Sequence, residues 1–256
     1  MNAPEPPRVA ELFRYPVKGM TGESLASVSV KAGETIPFDR AFAIENGSGR
    51  FDPDRPRYLP KINFLMLMRD ERLASLEARF EEASETLTLL RDGKQVVRGA
   101  LKSRVGRQIV EQFLAAYLKA ELRGAPKIVS APGHSFSDVA TKCLHLVNLA
   151  SLSEVERAAG RPVDRRRFRA NVYISGAQAW EEFKWIGRRL RLDGIEVEAF
   201  QRTGRCEATN VDPRTAQRDM ALPALLLRTW GHSDFGIYVK VVSGGTVRVG
   251  GAVALA

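Results

Sequence analysis

The sequence predicts a mainly β fold with packed helices and largely antiparallel sheets. Several runs alternate apolar and polar residues, which is the period of a strand with one buried face. Some of these runs are joined by Asp-Gly or Gly-Gly, the strongest short-range signal for a β-hairpin. A chain of 256 residues with 44% hydrophobic residues can bury one large core or two smaller ones.

The predicted strands are spread along the whole chain. The first lies in SLASVSVKAG, and AFAIENGSGRF continues the alternation with an Asn-Gly turn. Three later segments each place a two-residue connection between alternating runs: LTLLRDGKQVV, RLRLDGIEVEAF and VKVVSGGTVRVGG. Because a hairpin joins neighbouring antiparallel strands, we expect antiparallel pairing to dominate.

Two helices are predicted among the strands. The segment KSRVGRQIVEQFLAAYLKAEL carries apolar residues at helical spacing, and we expect this face to pack in the core. These residues are Val105, Ile109, Phe113 and Tyr117, with Val110, Leu114 and Leu118 alongside. The second helix is predicted to begin at SLSEVERAAG, where Ser151 and Glu154 have the spacing of a capping box and Gly160 can end the helix.

A domain boundary is predicted between the two helices. The segment GAPKIVSAPGHSFSD contains Gly and Pro residues that interrupt the helical periodicity. We therefore expect two domains, formed by residues 1–125 and 126–256.

The charge balance favours an anionic partner. The chain has 39 Lys+Arg against 30 Asp+Glu, a net charge of +9. Nucleic acid, a membrane surface or a phosphorylated small molecule would each satisfy this charge. The segment RRRFRAN, residues 165–171, concentrates four arginines before a predicted strand, whereas the chain shows no lysine-rich tail or basic helix. This distribution favours a pocket over a surface that binds a nucleic-acid duplex.

The N-terminal segment and the cysteines bear on the cellular compartment. MNAPEPPRVAELF lacks the basic and apolar regions of a secretion signal, and no apolar run approaches the roughly 20 residues that cross a bilayer. We therefore expect a cytoplasmic protein without membrane contact. Cys143 and Cys206 form no CxxC motif or metal-ligand cluster, so iron-sulfur and zinc sites built from cysteine are not expected.

Cys206 is the first candidate for a chemical role. It lies in RTGRCEATNVDPRT, next to Arg205 and with Arg202 and Arg214 nearby in sequence. Guanidinium groups stabilise an ionised sulfur, so this setting favours a thiolate. The alternative interpretation is that Cys206 packs at the end of a strand. Cys143, between apolar residues in ATKCLHLVNLA, is expected to lie in the core.

Five segments together resemble one protein family. They are YPVKG (15–19), DRAFAI (39–44), RFRAN (167–171), RCEATNVDPRT (205–215) and FGIYVKVVSGGTVRVGG (235–251). In this order and spacing they resemble the MOSC-domain proteins, named for the C-terminal domain of molybdenum cofactor sulfurases. The resemblance covers nearly the whole chain. It implies an antiparallel β-barrel MOSC domain at residues 126–256, preceded by a MOSC N-terminal β-barrel domain at residues 1–125.

The resemblance also implies site residues. Cys206 matches the cysteine that ligates molybdenum in amidoxime-reducing members, so it is expected to be both the metal ligand and a catalytic residue. The residues that match cofactor-pocket positions are Lys18, Arg40, Arg169, Asn171 and Tyr238. Arginine can pair with a phosphate through two hydrogen bonds, and lysine supplies a point charge. The sequence departs from the common pattern at Gly19, where many members have serine.

Three further residues are expected at the cofactor. Alternation along a strand would place Arg167 on the same face as Arg169. Ser151, at the predicted N-terminus of the second helix, could offer backbone N–H groups to a phosphate. Arg205 adjoins Cys206. The loop histidines His134 and His232 could donate protons near a substrate, and Asp138 is a weaker candidate for the pocket.

The expected function is the reduction of N-hydroxylated compounds, such as amidoximes and N-hydroxylated bases. The expected cofactor is the molybdenum cofactor, Mo-molybdopterin, and pyridoxal phosphate is not expected. The substrate would be a small molecule. Because the chain lacks a cysteine cluster for a [2Fe-2S] centre, electrons would come from an external protein of the ferredoxin or flavoprotein reductase type. A monomer that binds neither nucleic acid nor membrane is expected.

Two other classes of function remain open from the sequence. A carrier of molybdenum cofactor or sulfur would use a persulfide on Cys206, and protein from a cofactor-competent host would then lack stoichiometric molybdenum. A nucleic-acid-binding module would bind with a steep salt dependence. The few aromatic residues are not interleaved with basic ones, so this last class is the least favoured.

Overall fold

The computed structural model describes residues 6–47 and 49–256, and over these it is mainly β with three α-helices. The strands are β1 (Arg8–Arg14), β2 (Glu23–Leu25), β3 (Ser27–Val30), β4 (Ala43–Asn46), β5 (Glu77–Glu81), β6 (Thr86–Arg91), β7 (Lys94–Ala100), β8 (Pro126–Val129), β9 (Leu144–Asn148), β10 (Val172–Ser175), β11 (Arg189–Leu192), β12 (Ile195–Gly204), β13 (Asp234–Ser243), β14 (Gly245–Arg248) and β15 (Val253–Leu255). The helices are α1 (Arg104–Tyr117), α2 (Leu149–Ala159) and α3 (Leu222–Trp230). Within residues 6–47 and 49–256, no helix combines the length and hydropathy needed to span a bilayer. The predicted mainly β class with packed helices is confirmed.

An eight-stranded sheet dominates the fold and curls into a half-barrel. Its strand order is β15-β11-β12-β13-β9-β10-β1-β2. All of its neighbouring strands pair antiparallel except β9 and β10, which are parallel. A parallel pair needs a long crossover, and the segment that contains α2 provides it. The sheet contributes buried aliphatic side chains such as Leu146, Val197 and Ile237 to one core cluster.

Strands from both sides of the predicted domain boundary share hydrogen bonds. β1 pairs with β10 inside the large sheet, and β3 pairs with β14. The remaining strands form the smaller sheets β4-β8 and β5-β6-β7. The division near residue 125 therefore stays a prediction.

Two of the predicted hairpins are confirmed. Asp92 and Gly93 connect β6 to β7, and both have positive φ (52° and 73°), as a type I′ turn requires. Asp193 and Gly194 connect β11 to β12. The Asp-Gly signal therefore identified local antiparallel pairs correctly.

The predicted Gly-Gly hairpin is wrong. β14 pairs with β3 and not with β13, although only Gly244 separates it from β13. A Cβ atom on Gly244 would lie 2.8 Å from the carbonyl oxygen of Val30, and one on Gly245 would lie 2.1 Å from that of Gly194. These glycines allow backbones to pass closely and do not form a tight turn.

The Asn-Gly turn predicted in AFAIENGSGRF falls partly outside the described residues, because it includes Ser48. The strand before it is present as β4, which ends at Asn46. β4 pairs with β8, which lies about eighty residues later in the chain, as in the pairing of Ala43 with Val129. The alternation predicted a strand correctly, but the partner was non-local.

The first predicted helix is confirmed as α1, although its buried stripe is narrower than predicted. The side chain of Ser103 caps the helix by accepting a hydrogen bond from the Gly106 amide (2.9 Å). Val110 and Leu114 are fully buried, whereas 65% of Val105 is exposed. The sequence pattern indicated a broad apolar face on α1, but the strands packed against the helix, β7 and β8, cover only part of that face.

Candidate functional site

A cavity of about 350 Å³ is lined by residues from both halves of the chain. The predicted site residues that line it are Lys18, Arg40, Arg167, Arg169, Asn171, Arg205, Cys206 and Tyr238. Ser151 is the predicted site residue that does not. Residues remote in sequence therefore meet at a single concave site of the size that binds small molecules and cofactors.

Backbone pairing brings these segments together. The amide of Lys18 donates to the Phe42 carbonyl (2.8 Å), which places the YPVKG segment beside the loop that carries Arg40. The amide of Phe13 at the end of β1 donates to the Asn171 carbonyl (2.8 Å), so the segment before β10 is fixed beside β1. The site is thus built on loops that the large sheet anchors.

Cys206 follows β12 at one wall of the cavity. It is partly exposed, and its carbonyl oxygen accepts hydrogen bonds from the Thr209 amide (3.0 Å) and hydroxyl (2.9 Å). The backbone is therefore held by local hydrogen bonds while the thiol is open to the cavity. Cys143 lines the same cavity but is buried, and burial raises the pKa of its thiol to about 12.

Arg205 is held firmly beside Cys206. Its Nη2 donates to the Phe168 carbonyl (2.8 Å), and its Nη1 lies 3.5 Å from Nε2 of His145. Its buried Nε has no hydrogen-bond partner among the described residues. A buried donor at a cavity wall is expected to bind a ligand or an ordered water.

Arg40 and Arg169 both pack against the ring of a motif residue, Tyr15. The guanidinium carbons lie 4.6 Å (Arg40) and 4.4 Å (Arg169) from the Tyr15 ring centroid. Arg40 also donates to the Arg169 carbonyl (2.9 Å) and pairs with Asp39 (2.5 Å). The ring therefore helps to hold both cations in place at the cavity.

The two guanidinium groups differ in their charge compensation. Burial disfavours the Arg40 cation, but Asp39 outweighs this effect and raises the pKa of Arg40. Desolvation, and then the charge of the neighbouring Arg40, lower the pKa of Arg169 to about 10. Among the described residues, no carboxylate lies within 4.0 Å of Arg169. At neutral pH Arg169 is therefore a partly buried cation that lacks a carboxylate counter-ion among the described residues.

Lys18 contributes a third cation to the cavity. Its Nζ donates to the Phe136 carbonyl (2.8 Å) and pairs with Asp138 (2.5 Å). Burial lowers the pKa of Lys18. Burial alone would raise the pKa of Asp138, but the charge and hydrogen bond of Lys18 outweigh this effect and lower the pKa of Asp138 to about 2.

Gly19 has φ +82°, and a Cβ atom there would lie 3.0 Å from the Leu65 carbonyl oxygen. A serine at this position would be strained.

Asn171 and Tyr238 complete the predicted set. The Asn171 side-chain oxygen accepts hydrogen bonds from the His145 amide (3.1 Å) and Arg40 (3.3 Å), and its amide nitrogen donates to the Phe13 carbonyl (3.2 Å). Asn171 therefore orders the wall around Arg40. Burial raises the pKa of Tyr238 to about 12, so this phenol keeps its proton at neutral pH.

His145 is a cavity residue that sequence reasoning missed. It lies in β9, packs against Tyr238 with the ring centroids 5.5 Å apart, and is buried. Burial, and then the charge of Arg205, hold its pKa well below the usual value, so the imidazole is neutral at pH 7. A histidine inside an apolar run is typical of a core strand, and only tertiary contacts reveal its place in the cavity.

The strand argument for Arg167 is wrong. The segment Arg165–Phe168 forms a 3₁₀ turn and Arg169 adopts a left-handed conformation, so the two residues do not alternate along a strand. Arg167 lines the cavity, but its guanidinium pairs with Asp212 (2.8 Å) and Asp219 (2.7 Å). Arg167 therefore braces the 209–219 segment with its charge already balanced.

The structure also contradicts the predicted position of Ser151. Helix α2 begins at Leu149 and is capped by Asn148, whose side-chain oxygen accepts from the Ala150 amide (3.0 Å). Ser151 is buried inside the first turn, where its hydroxyl donates to Glu182 (2.8 Å) and accepts from the Trp180 amide (2.8 Å). A serine at an internal helical position, beneath a buried carboxyl group, is not available to a ligand in the cavity.

We expect Ser151→Ala to destabilise the fold without changing the content of any cofactor. The substitution leaves the Trp180 amide and the Glu182 carboxyl group short of a hydrogen-bond partner, which costs about 1–3 kcal/mol of unfolding free energy. Urea denaturation measures this loss. Ser153→Ala is the matched control, because Ser153 is exposed on the same helix. If Ser151→Ala lost cofactor at unchanged stability, Ser151 would be a cofactor-binding residue, as predicted from the sequence.

The two loop histidines do not line this cavity. His134 packs against Phe51 and Phe136 and borders a separate cleft. His232 accepts a hydrogen bond from the Asp234 amide (3.2 Å) and packs against Trp180. Asp138, by contrast, lines the cavity as the counter-ion of Lys18.

Comparison with known protein families finds two matching domain models. Residues 6–121 match the MOSC N-terminal beta barrel domain, and residues 132–254 match the MOSC domain. The chain is 30% identical over 119 residues to mitochondrial amidoxime reducing component 2 of Rattus norvegicus, an alignment that covers 42% of this chain and 35% of that protein. It is 23% identical over 283 aligned positions to mitochondrial amidoxime-reducing component 1 of Homo sapiens, covering 96% and 82%.

Two further similarities concern a sulfurase and a solved structure. The chain is 32% identical over 100 residues to molybdenum cofactor sulfurase of Caenorhabditis elegans, which covers 37% of this chain and 14% of that protein. Among solved structures, the YUAD protein from Bacillus subtilis aligns with a TM-score of 0.46 and 12% identity, covering 97% of this chain and 94% of that one.

Proposed function

The chain belongs to the MOSC-domain proteins, and from this we propose that it binds Mo-molybdopterin in the cavity beside Cys206 and reduces N-hydroxylated compounds such as amidoximes. The observation that carries the proposal is the meeting of an accessible thiol with the uncompensated Arg169 cation in one cavity. Relatives named amidoxime reducing components support the same reaction.

The residues of the cavity fit this cofactor. Its volume of about 350 Å³ suits a small organic cofactor. A phosphate-bearing pterin is rich in acceptors, and the wall offers the cations Lys18, Arg40 and Arg169 together with the orphaned Nε of Arg205. A cysteine thiolate is a soft ligand, the type that suits a metal already bound by sulfur.

Each residue then has a definable task. Lys18, Arg40 and Arg169 would bind the phosphate and the polar edge of the pterin, and the Cys206 thiolate would ligate the metal. The bound cofactor supplies the two-electron reduction of the N–O bond. The Arg205 guanidinium, fixed by the Phe168 carbonyl, would add a further donor beside the Cys206 segment.

Proton balance is also consistent with the cavity lining. Cleavage of an N–O bond to an amidine and water consumes two protons and two electrons. Tyr238 keeps its proton at neutral pH, because its pKa is raised to about 12, and can hydrogen-bond an acceptor in the cavity. The neutral His145 adds no further positive charge beside Arg205. We propose that the electrons come from a separate donor protein of the ferredoxin or flavoprotein reductase type.

Metal analysis of the purified chain tests the proposal. Protein from a molybdenum-replete host should contain stoichiometric molybdenum and pterin and, after chemical reduction, should convert benzamidoxime to benzamidine. Protein from a host grown with tungstate is the control, since it should be folded but inactive. Folded protein that takes up neither molybdenum nor pterin would contradict the proposal.

A second candidate function is a carrier of sulfur or molybdenum cofactor. The similarity to a molybdenum cofactor sulfurase and the partly exposed Cys206 thiol favour it. A carrier would hold a persulfide on Cys206, which cyanide releases as thiocyanate. Persulfide without stoichiometric molybdenum would support the carrier, whereas molybdenum without persulfide would support the reductase.

A further inference from the structure

A second, smaller cavity shares part of its wall with the main one. We call it the side chamber; its volume is about 50 Å³, and its polar side chains are those of Tyr15, Thr21, Arg166, Arg167 and Arg169. It shares Arg167 and Arg169 with the wall of the main cavity. The two spaces are therefore neighbours that have two guanidinium groups in common.

Two donors at the side chamber lack a partner. Tyr15 is only 2% exposed, and its Oη has no hydrogen bond among the described residues. The Nε of Arg167 is likewise buried and has none, although both terminal nitrogens of that guanidinium are hydrogen-bonded. Buried donors are rarely left without an acceptor, because the lost hydration is costly. Two such donors on residues that line one chamber favour an acceptor inside it.

The charge around the side chamber favours an anion over water. Of the described residues, no Asp or Glu lines it. Arg166 is paired with Asp164, and Arg167 is paired with Asp212 and Asp219. The Arg169 guanidinium remains without a carboxylate partner and stays charged at neutral pH, since its pKa is about 10.

The size of the chamber restricts the ligand. A cavity needs about 10–15 Å³ to hold one water molecule, so about 50 Å³ holds a group of a few heavy atoms. Formate or a halide ion fits this space better than the five-atom phosphate or sulfate. We propose that the side chamber binds a small monoanion, held by Tyr15 Oη and Arg167 Nε and balanced in charge by Arg169. Because the chamber shares Arg169 with the proposed cofactor cavity, the proposal concerns the apoprotein, in which no cofactor phosphate pairs with that cation.

Formate titration of the apoprotein tests this site. Thermal unfolding is followed while sodium formate replaces sodium gluconate, so that the ionic strength is constant. A ligand that binds only the folded state raises the midpoint temperature as its concentration rises. We expect the apparent formate affinity to fall about tenfold or more in Tyr15→Phe, because a hydrogen bond to a charged group is lost while the ring that packs against Arg40 and Arg169 is kept.

Tyr117→Phe is the matched control, since Tyr117 lies in α1 and does not line the chamber. Its formate response should equal that of the wild type. Formate bound in the main cavity would raise the midpoint equally with and without the Tyr15 hydroxyl. An equal response in Tyr15→Phe and Tyr117→Phe would therefore overturn the proposal and leave water as the occupant.

A second variant keeps the test decisive if Tyr15→Phe folds poorly. Ala74 lines the side chamber and not the main cavity, so Ala74→Val reduces the space without changing a donor. This variant should lose the formate response and broaden the ¹³C signal of added formate less than the wild type does. Formate binding that survives Ala74→Val unchanged would contradict a site in the side chamber.

Discussion

Cys206→Ser is expected to abolish the reduction of an amidoxime by the chemically reduced protein. A serine hydroxyl is a hard, weakly acidic group that does not replace a soft thiolate at molybdenum. The protein should still fold, because Cys206 is partly exposed and its carbonyl, not its thiol, holds the following turn. The pterin should remain bound, since Lys18, Arg40 and Arg169 do not depend on this sulfur.

Cys143→Ser is the matched control for this experiment. Cys143 lines the same cavity, but burial holds its thiol in the protonated form with a pKa of about 12. This variant should keep its activity and its molybdenum, with some loss of thermal stability from the buried hydroxyl. X-ray absorption should show one sulfur fewer at the metal in Cys206→Ser alone. Unchanged sulfur coordination and turnover in Cys206→Ser would refute the ligand assignment.

The local part of the fold was predictable from the sequence, and the non-local part was not. Asp92-Gly93 forms the expected hairpin because two consecutive positive φ angles are a local requirement that Asp-Gly meets. Gly244 and Gly245 carry a similar signal, yet these glycines allow β14 to pass closely beside other strands and pair with β3. A glycine pair is compatible with a turn and with a close backbone approach, and only the tertiary structure distinguishes them.

The candidate site was likewise predictable where a residue belongs to a sequence motif, and not where its position depends on distant contacts. Lys18, Arg40, Arg169 and Cys206 belong to motifs, and all of them line one cavity. Ser151 was misplaced because its environment depends on Glu182, a residue about thirty positions away.

His145 and Tyr15 were not identified as site residues from the sequence, because their roles depend on contacts with residues distant in the sequence. His145 lies within an apolar strand, and Tyr15 occupies a motif of which only the lysine has an evident charge. The stacking of Arg40 and Arg169 on Tyr15 follows from the pairing of distant segments, for which the sequence offers no periodic signal.

Arg169 illustrates how a binding site can conflict with stability. A partly buried cation without a counter-ion among the described residues opposes folding, and both desolvation and the neighbouring Arg40 disfavour its charge. Packing on Tyr15 and a hydrogen bond to the Met20 carbonyl (2.5 Å) offset part of this cost. Such an arrangement is expected where the counter-charge is supplied by a ligand.

Arg169→Ala should therefore lose cofactor without a comparable loss of stability. Removing a hydrogen bond to a charged group weakens binding by about 1.5–3 kcal/mol, on the order of ten- to a hundredfold. Pterin content after gel filtration and inorganic pyrophosphate affinity by calorimetry should both fall. The midpoint of thermal unfolding of the apoprotein should stay close to that of the wild type, because relief of the repulsion from Arg40 offsets the lost packing.

Two further variants decide what the Arg169 result means. Arg165→Ala removes a neighbouring arginine that is exposed and paired with Glu11, and it should leave pterin content unchanged. Arg169→Lys keeps the charge but loses the paired hydrogen-bond geometry, so its pterin content should lie between those of the wild type and Arg169→Ala. If Arg169→Ala keeps its pterin but unfolds at a lower temperature, Arg169 is a structural residue. The cofactor would then lie elsewhere than at the Arg40–Tyr15–Arg169 stack.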